Sequence, residues 1–223
     1  MKKMMMMAVV ALTMAVNVNA QFAPGTWSIS PKAGLGFANI SNMEDLYLAT
    51  EKVDNKMTYA ASTGVEMEYQ AAKMLGIAGG LSFTKQGTAW DDFKMDGVKM
   101  KDNRLDLTYI HVPIVANVYV AKGLALKAGV QFGFLIDSAL RMTSEGDFSG
   151  RDATVDTSVD MNKDFKTFDL SIPVGLSYEF NNHIVLDARY HIGMTAVNKE
   201  KMANGKDAKN SLFLLSVGYK FGL

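Results

Sequence analysis

The chain has 223 residues, with 23 basic and 23 acidic side chains, three histidines and no cysteine. That length suits one sizeable domain, and the balanced charge leaves no basic surface for nucleic acid. Without cysteine there are no disulfides, so stability rests on packing and hydrogen bonding.

Residues 1–20 read as a secretory signal peptide. Lys2 and Lys3 precede an apolar run from Met4 to Val16, and Val18-Asn19-Ala20 supplies a small-residue cleavage site. The expected mature domain, residues 21–223, loses those two lysines, leaving 21 basic against 23 acidic residues and a net charge near −2. No later apolar run reaches the length of a spanning helix, so a membrane segment would have to be built from strands.

Period-two alternation marks eight strands, because successive side chains leave a strand on opposite sides. The first, about Trp27 to Asn39, lines up Trp27, Ile29, Ala33, Leu35 and Phe37. The second, about Met57 to Gln70, sets Tyr59, Ala61, Val65, Met67 and Tyr69 against Ser62, Gly64, Glu66 and Glu68. The third runs from about Met74 to Gln86. The fourth, about Leu105 to Val120, changes phase: Leu105, Leu107 and Tyr109 are odd, whereas Val112, Ile114 and Val118 are even. A bulge near His111, next to Pro113, would account for that slip. The fifth spans about Leu124 to Ile136. The sixth and seventh alternate most regularly, Phe168 to Phe180 and Ile184 to Met194, around a turn at Asn181-Asn182. The eighth runs from Ser211 to Phe221.

Short and long connections alternate strictly. Short turns fall at 71–73, 121–123 and 181–182, and long polar loops at 41–56, 87–103, 137–164 and 195–210. This order predicts an all-β, eight-stranded antiparallel up-and-down transmembrane β-barrel with its long loops outside the cell. Aromatic residues gather at strand ends as two girdles. Trp27, Tyr69, Tyr119, Tyr178, Phe180, Tyr219 and Phe221 mark the short-turn side; Phe37, Tyr59, Phe83, Tyr109, Phe134, Phe168 and Tyr190 mark the long-loop side.

Alternation does not by itself say which face looks inward, and a secreted lipocalin-like barrel is the inverted alternative. The polar face is rich in Gly, Ala and Ser, which suit the crowded lumen of an eight-stranded barrel. Taken as interior, it carries Lys32, Glu66, Glu68, Lys127, Gln131, Asp169, Glu179, Asp187, Arg189, His191 and Lys220. Mixed charges packed away from water must pair, so a salt-bridged plug is expected in place of an open pore.

Several runs carry a family resemblance: Pro31-Lys32-Ala33-Gly34-Leu35-Gly36-Phe37, Tyr109-Ile110-His111-Val112-Pro113-Ile114, and Phe168-Asp169-Leu170 with Val174-Gly175-Leu176-Ser177-Tyr178-Glu179. Ala188-Arg189-Tyr190 with Ile192-Gly193-Met194, and Val217-Gly218-Tyr219-Lys220-Phe221, complete the set. Together they resemble the PorT-like outer-membrane β-barrel family, which shares the architecture of OmpA- and OmpX-type barrels. The resemblance implies a monomer in the outer membrane of a Gram-negative bacterium, with membrane lipid and the outer-membrane insertion machinery as partners. Within that family PorT takes part in secretion-system assembly, while most relatives have no assigned activity.

Candidate chemistry is sparse. His191, placed near the outer end of its strand with Asp187 and Arg189 on the same face, is the nearest approach to a barrel-hydrolase constellation, but no nucleophile motif accompanies it. No enzyme activity, cofactor or metal is expected. Asp152, Asp156, Asp160 and Asp164 are spaced by four in the third loop, after Glu145 and Asp147; this reads as a solvated acidic loop, with a cation site as the alternative. The fourth loop is basic, with Lys199, Lys201, Lys206 and Lys209, so charge pairing between the two loops is expected. Trp90 and Phe93 form an exposed loop pair that either anchors another envelope or extracellular protein, dips toward lipid or packs on its own loop. The overall expectation is a structural or interaction protein acting in adhesion or envelope-complex assembly. A narrow pore is the alternative.

Overall fold

The computed structural model describes residues 22–43, 55–95, 98–147, 152–200 and 206–223. The expected signal peptide lies outside them, as do parts of the long loops, Lys201 included. The strands in chain order are β1 (Trp27–Ser41), β2 (Asn55–Lys56), β3 (Thr58–Ala72), β4 (Leu75–Trp90), β5 (Phe93–Met95) and β6 (Val98–Ala121). There follow β7 (Leu124–Asp147), β8 (Asp152–Asp160), β9 (Phe168–Glu179), β10 (Ile184–Gly193), β11 (Lys209–Tyr219) and β12 (Phe221–Gly222).

Eight of these form the wall: β1, β3, β4, β6, β7, β9, β10 and β11. Each pairs antiparallel with its neighbours in sequence order, and β1 closes the ring on β11, from Lys32 opposite Gly218 to Ser41 opposite Lys209. Closure leaves the wall without an exposed strand edge, the condition for crossing lipid with strands. β12 prolongs the β11 pairing onto β1, placing Phe221 opposite Ile29. The turns are tight: Lys73-Met74, Lys122-Gly123 and residues 180–183, with Gly123 (φ 76°) and His183 (φ 63°) in the left-handed region.

The apolar face points outward. Leu35, Leu81, Leu126, Leu176, Leu215 and Val217 are all exposed, whereas Glu66, Lys127, Asp187 and Arg189 are buried. This rules out the inverted, lipocalin-like arrangement. Eleven of the fourteen predicted girdle residues are exposed: Trp27, Phe37, Tyr59, Phe83, Phe134, Phe168, Tyr178, Phe180, Tyr190, Tyr219 and Phe221. Tyr69 is half-buried, its ring 4.9 Å from that of Trp27. Tyr109 and Tyr119 are corrections to the girdle, since both are buried in the lumen.

Their placement follows from a second correction. β6 does not slip near His111; its register against β4 is continuous from Gly79–Ile114 through Ala89–Arg104. Odd positions face inward along this length, Leu105, Leu107 and Tyr109 as much as His111, Asn117 and Tyr119. The irregularity lies across the ladder in β7, where Thr108 pairs with Asp137 but Tyr109 with Leu135, leaving Ile136 as the extra residue. What changes along β6 is the chemistry of the lumen, not the phase of the strand.

Two predicted loops are largely strand. β4, β5 and β6 occupy most of 87–103, while β7 and β8 pair from Ala139–Asp160 to Asp147–Asp152, beyond the wall. Outside the bilayer no lipid-facing apolar side is required, so the wall's pattern of greasy and polar alternation does not mark these extensions.

Candidate functional site in the lumen and crown

The lumen is filled in layers. Lowest is a group around Lys220, whose Nζ lies 2.9 Å from Glu68 Oε2 and 3.4 Å from Glu179 Oε2. The Tyr119 hydroxyl donates to Glu68 Oε1 at 2.6 Å and accepts from Lys220 Nζ at 2.9 Å, and His183 Nδ1 stands 2.9 Å from Glu179. Gly76 makes this layer possible, because a Cβ there would lie 2.0 Å from the Glu68 carboxylate.

Above it, five charged side chains from four strands tie the barrel across its width. Glu66 on β3 receives Lys32 of β1 at 2.7 Å, Lys127 of β7 at 3.3 Å and Arg189 of β10 at 2.5 Å. Asp187 on β10 receives the same three cations at 3.3, 2.8 and 2.7 Å. The arginine fork spans both carboxylates, which a lysine could not do with fixed geometry. Each ion is desolvated, and mutual pairing is what makes that burial tolerable.

The middle layer is uncharged apart from Asp169. Its carboxylate accepts from Thr195 Oγ1 at 2.7 Å and Asn210 Nδ2 at 2.9 Å. Tyr109 stacks on His111, centroids 5.4 Å apart, and His111 Nδ1 meets Thr84 Oγ1 at 3.2 Å. His191 is only 7% exposed and neither ring nitrogen has a protein hydrogen-bond partner. It lines a cavity of about 60 Å³ together with Thr84, His111, Gln131 and Arg189. His191 lies inside the barrel two residues before the Gly193 end of β10, and it shares the inward parity of Asp187 and Arg189.

The top layer is apolar. Ile40, Met43, Trp90, Phe93, Leu105, Leu107, Tyr109, Phe165, Val197 and Ala208 form one buried cluster, with Met100, Leu135, Leu140 and Met161 packed against it. Trp90 and Phe93, expected as an exposed contact pair, are 4% and 7% exposed. The indole nitrogen of Trp90 donates to Met43 O at 3.0 Å, turning the ring over the lumen instead of outward.

The third and fourth loops are joined by backbone and packing. Lys166 N donates to Val197 O at 2.7 Å, Lys199 N to Asp164 O at 3.0 Å, and Phe165 pairs with Asn198. Asp156 accepts from Thr143 at 2.8 Å and Asp160 from Asn162 N at 2.8 Å. The spacing of four between Asp156 and Asp160 places them on one face of strand β8, not of a helix. Among the described residues no group of three or more His, Cys, Asp or Glu side chains is placed to hold a metal ion.

Sequence reasoning named the charged members of the lumen but missed Tyr119, Thr195 and Asn210, which bond to them, and Thr84, which holds Ser62 and His111. Inward parity alone would have flagged each wall residue of that set.

Solved structures similar to this chain include Ail, the attachment invasion locus protein of Yersinia pestis, at 17% identity, covering 89% of this chain and 99% of that one with a TM-score of 0.43. Neisserial surface protein A (NspA) matches at 14% identity over 90% of this chain and 100% of that one, TM-score 0.43. OprG from Pseudomonas aeruginosa matches at 13% identity over 89% and 97%, TM-score 0.43. No curated protein matches the sequence. The family described as outer membrane protein beta-barrel domain matches residues 19–198. With its closed wall and outward apolar band, this is a protein of the Gram-negative outer membrane, and the chain belongs to the outer membrane protein beta-barrel domain family.

Proposed function

We propose that the barrel is a non-conducting monomeric scaffold, which presents its extracellular strands to another envelope or extracellular protein. The observation that carries this reading is the filled lumen: ion pairs from β1, β3, β7 and β10 cross it, and the apolar cluster over Leu107 and Tyr109 covers them. A conducting path would have to pass both layers. The presenting surface is the β7–β8 hairpin. Among the described strands β8 pairs only with β7, so its far edge offers unpaired backbone donors and acceptors to an added strand, beside exposed Val155 and Val159. The PorT-like resemblance supports an assembly role within the envelope. The barrel is non-enzymatic in this reading, with His191 a lumen side chain.

Two measurements test it. In planar bilayers the expected result is no steady conductance, and a large stable one would sink the scaffold reading in favour of a pore. A photo-crosslinker at Val155 in living cells is expected to capture a defined protein, and the same crosslinker at lipid-facing Leu215 is not.

A further inference from the structure

Outside the lumen, one charged cluster stands apart from the packing just described. On the outer face of β4, β6 and β7, Asp106 Oδ2 lies 3.0 Å from Lys85 Nζ, 3.1 Å from Arg141 Nε and 3.6 Å from Arg104 Nε. The carboxylate is largely covered, whereas the three cationic side chains are each about half exposed, at 50%, 48% and 46%. No cation is aligned for a hydrogen bond to that oxygen, so Coulomb attraction gathers the three heads without consuming their directional donors. At the Asp106 carboxylate itself three cations meet one anion.

The height of the cluster gives it meaning. On β4 the outward residues climb from Leu75 and Ile77 through Leu81 to Phe83, all exposed and apolar, and Lys85 is the next outward position. On β7 the apolar series ends at Phe134 and the bulged Ile136, and Arg141 follows above it. The register sets Arg104 directly opposite Arg141, and Asp106 opposite Gly87 on one side and Ala139 on the other. The three cations therefore start one row above the lipid-facing band on its extracellular side, at the depth of headgroups. Two other carboxylates share these rows. Asp137 lies opposite Thr108 and forms no ion pair with a described residue; Asp160, beyond Ala139, accepts the Asn162 amide.

We propose that Lys85, Arg104 and Arg141 form a site for a phosphate-bearing lipid headgroup of the outer leaflet. Guanidinium forks bind phosphate oxygens two at a time, and an ammonium adds a mobile third donor. Asp106 is a positioning residue, holding the three heads together on the sheet. Acyl chains of a lipid so held would run down the wall over Phe83, Ile110 and Phe134, which already faces hydrocarbon.

The test uses the full chain refolded in micelles, with lipid A carrying both phosphates as the probe and native mass spectrometry as the readout. Wild-type protein should retain bisphosphorylated lipid A at least tenfold more than the same lipid after phosphatase treatment. The triple variant Lys85→Gln, Arg104→Gln, Arg141→Gln should lose that preference, and Lys122→Gln at a periplasmic turn should keep it. Equal retention of the two lipids by wild type, or an unchanged preference in a folded triple variant, overturns the proposal. Displacement of the lipid by millimolar inorganic phosphate assigns the site to free phosphate and overturns it likewise. Equal retention by wild type overturns the proposal even where the triple variant does not fold.

Discussion

The lower and upper halves of the lumen solve one problem, exclusion of a water path, by opposite chemistry. Below, Glu66 and Asp187 gather Lys32, Lys127 and Arg189; above, Leu105, Leu107, Trp90 and Phe93 pack with no charge among them. The difference tracks what each half is made from. The lower lumen is enclosed by strands alone, and side chains from facing walls must meet across it, which long ionic groups do well. The upper lumen is roofed by chain that folds back over it, and apolar burial stabilises such a roof at roughly 25 cal/mol per Å². A buried ion pair, by contrast, contributes little net stability until one partner is removed. The ionic half is thus specific and unforgiving, whereas the apolar half supplies net stability.

The sharpest way to break this contrast is Glu66→Gln. It leaves Lys32, Lys127 and Arg189 with Asp187 as their only carboxylate in contact, and a stranded buried charge costs about 3–5 kcal/mol. Urea unfolding in lipid vesicles, followed by tryptophan fluorescence, would read the loss. Replacing Glu66 and Arg189 together by Leu and Met removes one charge of each sign and should cost less than the single change. If the double variant is the worse of the two, the pair itself stabilises and the contrast fails.

In the apolar half, Leu107→Ala should cost about 3 kcal/mol through lost burial and the cavity left behind. Leu107 is fully buried in the crown, above the ion pairs, so the loss should appear first as faster proteolysis of the extracellular segments. The wall should keep its heat-resistant compact mobility on gels. Simultaneous loss of both would mean that crown and wall unfold as one unit.

How far this division was legible in the sequence depends on which rule governs each stretch. Across the bilayer, lipid enforces strict alternation, so Lys32, Glu66, Lys127, Asp187 and Arg189 were assignable to the inside from parity alone. Beyond the bilayer that rule lapses, and Asp152-Ala-Thr-Val-Asp-Thr-Ser-Val-Asp read as an acidic loop although its Val and Thr content favours a strand. Leu105, Leu107 and Tyr109 look like a phase slip only on the premise that the inside is polar throughout. Holding the parity of His111 and Asn117 fixed would have placed them inward and disclosed an apolar crown. Trp90 and Phe93 depart from expectation for a related reason: an aromatic between wall strands looks as if it projects, whereas chain roofing a barrel turns its aromatics in.

The smallest effect tests the lower lumen from within. Tyr119→Phe deletes one hydroxyl, which donates to Glu68 at 2.6 Å and accepts from Lys220 at 2.9 Å. The ring would remain, with Lys220 Nζ 5.5 Å from its centroid, and the Lys220–Glu68 pair would keep its own 2.9 Å contact. No charge is stranded, so the cost should be that of hydrogen bonds to charged partners, about 1.5–3 kcal/mol. A cost equal to that of Glu66→Gln would mean that the hydroxyl holds the ions in place, and the lower layer would then depend on its neutral members as much as on its charges. A small cost, beside a large one for Glu66→Gln, locates the sensitivity of this half of the barrel in the balance of charge across its width.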